Sequence, residues 1–93
     1  MKSSLSKNAI IGILGGGQLG RMLAISASRL GFKSHIYDPD QTAPGSQVST
    51  FTTAAPYNDI NALTNFAKSV DIVTYEFENI PTLALDVIEN YVS

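Results

Sequence analysis

The run Ile10-Ile11-Gly12-Ile13-Leu14 leads without a break into Gly15-Gly16-Gly17 and then into Gln18-Leu19-Gly20-Arg21-Met22. A short, continuous apolar stretch suits a strand covered on both faces, as in a parallel sheet. Glycine can adopt positive φ and lets other atoms come close to its backbone, so the chain can turn at once from strand into helix. The first amides of such a helix have no intrahelical acceptor and make a cradle for an anion. Gly15, Gly17 and Gly20 fit the G-x-G-x-x-G spacing of dinucleotide-binding folds, here with the required strand before and helix after. A plainer reading stands beside it: a tight turn in which glycine only permits close packing.

The rest of the chain keeps alternating strand and helix. Residues 9–14 read as the first strand. Residues 18–30 read as a helix with Leu19, Leu23, Ser26 and Leu30 on one stripe and Met22 and Ala27 beside it, closed by Gly31. Residues 33–37 read as a second strand, ending at Asp38 before Pro39. Residues 39–47, with Pro, Asp, Gly and Ser, read as a surface loop. Residues 48–53 are rich in β-branched types and read as a third strand. Asn58 or Asp59 can cap the next helix, whose buried side is Ile60, Leu63, Phe66, Ala67 and Val70. Residues 71–75 read as an apolar fourth strand, and Pro81 suits the first turn of a last helix carrying Leu83, Val87, Ile88 and Tyr91. This order implies an α/β fold, an open parallel sheet with helices on both faces. Ligands in such sheets bind outside the carboxyl ends of the strands, which here means the loops at 15–18, 38–44 and 76–79.

Composition narrows the partners. The chain has 93 residues, 44% of them hydrophobic, enough for one domain. The net charge is −2 and the six basic residues are scattered, so no basic stripe can neutralise a run of nucleic-acid phosphates. With no cysteine, disulfides and thiolate metal sites are excluded from this piece. Residues 1–8 are polar and read as a disordered segment, no apolar run is long enough to span a bilayer, and the protein reads as soluble and cytoplasmic. The last helix has no closing strand after it, which suggests truncation from a longer protein.

Several groups compete for a functional role. Gln18 would point from the helix start toward a ligand or stand solvated. Arg21, one turn in, reads as a surface residue. Asp38 stands 18 residues past Gly20, close to where NAD enzymes carry the acid that holds the adenosine ribose. The competing reading makes Asp38-Pro39-Asp40 a turn. Thr74-Tyr75-Glu76-Phe77-Glu78-Asn79 brings two carboxylates and an amide to the end of a strand. If the backbone stays extended, Glu76 and Glu78 share a face. Carboxylates there suit ribose hydroxyls or an amino group and would sit beyond the sugar, away from phosphate. His35 reads as a packed or surface histidine. No Ser-His-Asp arrangement, metal cluster or P-loop lysine is present.

Taken together, Ile13-Leu14-Gly15-Gly16-Gly17-Gln18-Leu19-Gly20-Arg21-Met22, Asp38-Pro39-Asp40 with Ala43-Pro44, and Asp71-Ile72-Val73-Thr74-Tyr75-Glu76-Phe77-Glu78-Asn79 resemble the 5-(carboxyamino)imidazole ribonucleotide synthases. These are ATP-grasp ligases of bacterial and fungal purine biosynthesis, and the last motif resembles the bacterial type. The resemblance covers nearly all of residues 9–90. It implies that residues 9–93 are the N-terminal, Rossmann-like pre-ATP-grasp domain of a longer enzyme, inactive alone and holding no catalytic residue. The intact enzyme would use ATP to activate bicarbonate and carboxylate the exocyclic amine of 5-aminoimidazole ribonucleotide. By the same resemblance Gln18, Leu19 and Glu76 contact the ribonucleotide, and Gly16 and Gly17 offer backbone contacts to its 5′-phosphate. Gly15, Glu78 and Asn79 stand beside them. ATP and magnesium would be held by residues this chain lacks, and the intact protein would form a homodimer. On this reading Asp38 forms the loop. Two alternatives remain: an NAD-binding dehydrogenase fragment using Gly15, Gly17, Gly20 and Asp38, and a regulatory module whose glycine turn is purely structural.

Overall fold

The computed structural model describes residues 8–75 and 81–92. The expectations for residues 1–7 and for Glu76, Phe77, Glu78 and Asn79 lie outside the described residues. Four parallel strands, β1 (Ile10–Leu14), β2 (Lys33–Asp38), β3 (Phe51–Ala54) and β4 (Ile72–Tyr75), stand in the order β3-β2-β1-β4. Helices α1 (Gln18–Arg29), α2 (Ile60–Lys68) and α3 (Thr82–Glu89) connect and cover them. The expected α/β architecture is present. From β1 the chain winds outward through β2 to β3, then crosses back to place β4 on the other side of β1.

Alternation along the strands divides the core into two layers. Ile13 and Ile36 point to one face and close over Ala24 of α1. Leu14 and Tyr37 point to the other and meet Leu63, Phe66 and Ala67 of α2 and Ala84 and Ile88 of α3. Gly12 belongs to this second face, where a Cβ would lie 2.8 Å from the Phe66 ring and 3.1 Å from the Val70 methyls. Glycine at that point lets α2 settle on the middle of the sheet.

The caps follow their sequence signals. Asp59 accepts the Ala62 N–H at 3.0 Å and starts α2. Gly31, at φ 89°, ends α1 in the left-handed region. The Phe32 N–H reaches the Ala27 carbonyl at 2.9 Å and the Gly31 N–H reaches that of Ser28 at 3.0 Å, the paired bonds of a Schellman motif.

The structure corrects the buried face of α1, the burial of Ile60 and the reading of residues 39–47. The buried stripe of α1 is Gly20, Ala24 and Ala27 with Leu23 partly covered, whereas Leu19, Met22 and Leu30 are 49%, 62% and 71% exposed. Small residues let the helix lie close to the sheet, and that proximity turns the larger side chains away. Ile60 is exposed at the open first turn of α2, and Leu83 and Tyr91 are exposed on and just after α3. In β4, Ile72 and Tyr75 are exposed because this is an edge strand among the described residues. The stretch 39–47 is no plain surface loop: Pro44–Gln47 forms a 3₁₀ turn in which Ala43 and Gly45 are buried against α1 and the glycine turn.

His35 is packed, as the sequence allowed. The Ser69 hydroxyl donates to the Phe66 carbonyl at 2.7 Å, so it accepts from His35 Nδ1 at 2.9 Å. Nε2 then accepts from the Thr53 hydroxyl at 2.7 Å, an assignment made from the network. The ring stands edge-on to Phe66 at 5.0 Å, and burial pushes its pKa below the usual histidine value.

Candidate functional site

The strand order reverses between β1 and β4, and the crevice at such a switch point opens at the carboxyl ends of the strands. Leu14 is paired with Tyr75, so the glycine turn leaves one strand end as the Tyr75-Glu76 sequence leaves the neighbouring one. Glu76, Glu78 and Asn79 themselves lie outside the described residues.

Each glycine of the turn meets a different demand. Gly15 takes φ 107°, a region that L side chains disfavour, while its N–H donates to the Tyr37 carbonyl at 2.9 Å. Gly16 is buried, and a Cβ on it would stand 3.0 Å from both Ala43 Cβ and Ile36 Cγ2. Gly20 lies so close to the Gly15 carbonyl oxygen that a Cβ would overlap it. Gly17 is the N-cap residue of α1, at φ −70°, and its carbonyl accepts the Arg21 N–H at 2.9 Å. No side chain caps this helix start.

The amides divide accordingly. The Gly16 N–H, expected to face a phosphate, donates instead to Asp38 Oδ2 at 2.7 Å. The N–H groups of Gln18, Leu19 and Gly20 have no acceptor among the described residues. Gln18 and Leu19 are exposed, with Leu19 at 49%. The open end of the helix dipole therefore points its unpaired donors outward at Gln18 and Leu19.

Asp38 is where the turn reading puts it. Its Oδ1 accepts the Asp40 N–H at 2.8 Å while Oδ2 holds Gly16. Both carboxylate oxygens are thus engaged by backbone N–H groups of the loop and the glycine turn, as the loop-forming reading of Asp38 expects. Asp40 in turn accepts the Thr42 hydroxyl at 2.7 Å and N–H at 2.8 Å, and these bonds lower its pKa. Arg21 reaches sideways to Gln47 Oε1 at 3.3 Å, a surface contact as expected. Ala43 was legible only as part of the Ala43-Pro44 motif, and Gly45 not at all, whereas both pack against the turn from behind. Their signal, small residues flanking Pro44, was indistinguishable from an ordinary loop.

Among the described residues no three His, Asp or Glu side chains gather into a cluster that could hold a metal ion. No helix in it is long and apolar enough to cross a membrane.

Residues 8–93 match the ribonucleotide synthetase preATP-grasp domain. The chain belongs to that family. A curated relative, N5-carboxyaminoimidazole ribonucleotide synthase of Brucella melitensis, is 47% identical over 91% of this chain and 24% of its own length. Among solved structures, an ADP complex of N5-carboxyaminoimidazole ribonucleotide synthetase superposes with TM-score 0.90 at 40% identity, covering 99% of this chain and 24% of that one. The Aspergillus clavatus N5-carboxyaminoimidazole synthase, in complex with ADP and 5-aminoimidazole ribonucleotide, does so with TM-score 0.78 at 35% identity over 94% of this chain and 23% of that one. The preATP-grasp chain described here thus spans about a quarter of the length of these relatives.

Proposed function

We propose that this preATP-grasp domain is the ribonucleotide-holding part of an ATP-dependent ligase that carboxylates 5-aminoimidazole ribonucleotide with bicarbonate in purine biosynthesis. The observation that carries the reading is the Leu14–Tyr75 pairing, which makes the glycine turn and the Tyr75-Glu76-Phe77-Glu78-Asn79 sequence leave adjacent strands at the switch point. The Aspergillus relative with that ribonucleotide bound supports the choice of ligand.

In this reading the unpaired amides of Gln18 and Leu19, with Gly17 carrying the turn past them, hold the 5′-phosphate at the positive end of α1. The Gln18 side chain can donate to or accept from the same ligand. Glu76 takes the ribose hydroxyls or the amine, with Glu78 and Asn79 beside it, and its negative charge keeps it away from the phosphate. Gly15 and Gly16 support the turn from behind rather than touching ligand. The chain's part in the reaction is to bind and orient the amine, a contribution of position and electrostatics. ATP, magnesium and bicarbonate would be brought by the remainder of the longer protein, which in this reading is cytoplasmic and pairs with a second copy.

A thermal-shift and amide-shift titration tests it, with 5-aminoimidazole ribonucleotide, inorganic phosphate and NAD each raised into the millimolar range. A ligand that binds the folded form alone stabilises it by about 0.4 kcal/mol at a concentration equal to Kd, and more as the concentration exceeds it. The ribonucleotide should raise Tm and move the Gln18 and Leu19 amide resonances. Gln18→Ala and Glu76→Ala should weaken both effects. Stabilisation by NAD with no response to the ribonucleotide would overturn the reading in favour of a dinucleotide fragment.

A further inference from the structure

We propose that Asp38 is a positioning residue of this site, its carboxylate fastening the glycine turn so that the first amides of α1 stay aimed at the ligand. The proposal rests on the ribonucleotide reading above and extends it to a residue outside the phosphate contacts.

The geometry is a closed ring. The Gly16 N–H donates to Asp38 Oδ2 at 2.7 Å, and the Asp40 N–H donates to Asp38 Oδ1 at 2.8 Å. The Asp40 carbonyl accepts the Ala43 N–H at 3.1 Å. Two residues on, the Gly45 N–H returns to the Gly16 carbonyl at 2.6 Å. Gly16 is therefore gripped at both its N–H and its carbonyl, with Ala43 and Ile36 filling the space a Cβ would need. The two peptide units that meet at Gly16 are thus each fastened, the first through its N–H and the second through its carbonyl, and the next residue, Gly17, is the N-cap at the helix start.

A carboxylate so close to an anion site needs a reason, since its charge opposes phosphate. Here both oxygens face N–H donors of the turns, and a charged acceptor makes the stronger bond. The charge is directed into the protein, where it holds Gly16. Neither the NAD reading nor a plain turn requires this arrangement: the first needs Asp38 facing ligand, and the second needs only the bond to Asp40.

Three variants of the chain decide it: Asp38→Ala, Asp38→Asn and, as a control, Thr42→Ala. Thr42→Ala loosens the same loop by removing the hydroxyl bond to Asp40 without touching Gly16. Two readouts are taken: hydrogen exchange at the Gly16 amide without ligand, and the initial slope of the Gln18 and Leu19 amide shifts against 5-aminoimidazole ribonucleotide. Asp38→Ala should speed Gly16 exchange at least tenfold and cut the slope at least tenfold. Asp38→Asn, which keeps one acceptor oxygen, should stay within about threefold of the parent slope. Thr42→Ala should lower Tm and leave the slope unchanged. Exchange and slope within twofold of the parent in Asp38→Ala would overturn the proposal, as would an equal loss of slope in Thr42→Ala. If the parent chain does not respond to the ribonucleotide, the functional reading fails on its own, and Gly16 exchange still judges the fastening.

Discussion

Replacing Gly20 with alanine tests whether close approach, rather than flexibility, is what this glycine supplies. On intrinsic grounds the change should help, because alanine in a helix is favoured over glycine by roughly 0.5–1 kcal/mol. The structure opposes that gain. The new Cβ would overlap the Gly15 carbonyl oxygen, a backbone atom of a residue at φ 107° whose own N–H is bonded to Tyr37. No rotamer can relieve the contact, so the helix start must move away from β1. Forced methylenes in packed sites cost about 1–3 kcal/mol. With the contact on backbone, the upper part of that range applies, and the net loss after the helix gain is about 2 kcal/mol. For a domain of this size that lowers Tm on the order of 10 °C. Thermal unfolding followed by far-ultraviolet circular dichroism measures it. Two companions calibrate the result. Ser28→Ala, exposed on α1, should raise Tm slightly. Gly31→Ala, with open space around it but φ 89°, should cost about 1 kcal/mol for its backbone alone. A Gly20→Ala variant as stable as the parent would refute the claim that the Gly15–Gly20 approach fixes the turn.

Other consequences are open to simpler tests. His35 is held neutral by burial, with a folded pKa below the unfolded 6.5. Protonation therefore favours the unfolded chain, so its stabilisation is complete above pH 6.5 and falls away as pH drops toward the folded value; melts between pH 8 and 5 should show the decline, and His35→Gln should flatten it. Tyr37 is fully buried, its hydroxyl donates to the Pro56 carbonyl at 2.5 Å, and burial, then the charge of Asp59, pushes its pKa up to about 12. Ultraviolet titration should find one tyrosine ionising near that value, with stability lost as pH rises from 10 toward it; Tyr37→Phe should remove that step and cost about 1 kcal/mol. The buried Ser46 Oγ has no partner among the described residues, so Ser46→Ala should leave stability unchanged or raise it by about 1 kcal/mol, read as a shift in the urea midpoint.

Much of the fold was legible because its signals are local. The apolar run before Gly15, the cap at Asp59 and the left-handed Gly31 each state a boundary in one or two residues. The orientation of α1 was not legible in the same way. Its hydrophobic pattern favoured Leu19 and Leu30, yet the helix lies on Gly20, Ala24 and Ala27. Periodicity counts hydrophobicity, while close packing on a sheet is decided by how small the facing residues are. The 39–47 stretch shows a similar gap: proline, serine and glycine mark a turn, but not that Gly45 returns to bond Gly16. At the site, the spacing of Gly20 and Asp38 could not choose between ribose reader and loop former. Only the 2.7 Å bond to Gly16 separates them.

That bond also bears on what a glycine motif can say about its ligand. Gly15, Gly16 and Gly20 answer to backbone angle, to side-chain room and to helix approach, all of them internal demands that any occupant would leave unchanged. In the proposed reading the backbone donors left for a ligand are those of Gln18 and Leu19, and backbone amides alone carry no selectivity for what lies beyond a phosphate. In that reading selectivity comes from the neighbouring strand end, and among the described residues β4 is an edge strand whose Tyr75 is 46% exposed. A phosphate held in water by a helix terminus gains about 0.3–1 kcal/mol from the dipole. With so small a contribution from the dipole and the walls of the site open, we expect the isolated chain to bind no more tightly than the millimolar range, about −4 kcal/mol. The same donors would count for more once the longer protein covered the open walls and lowered the local dielectric. Micromolar binding by the chain alone would mean that the described residues already close the site, contrary to the exposure of Leu19 and Tyr75.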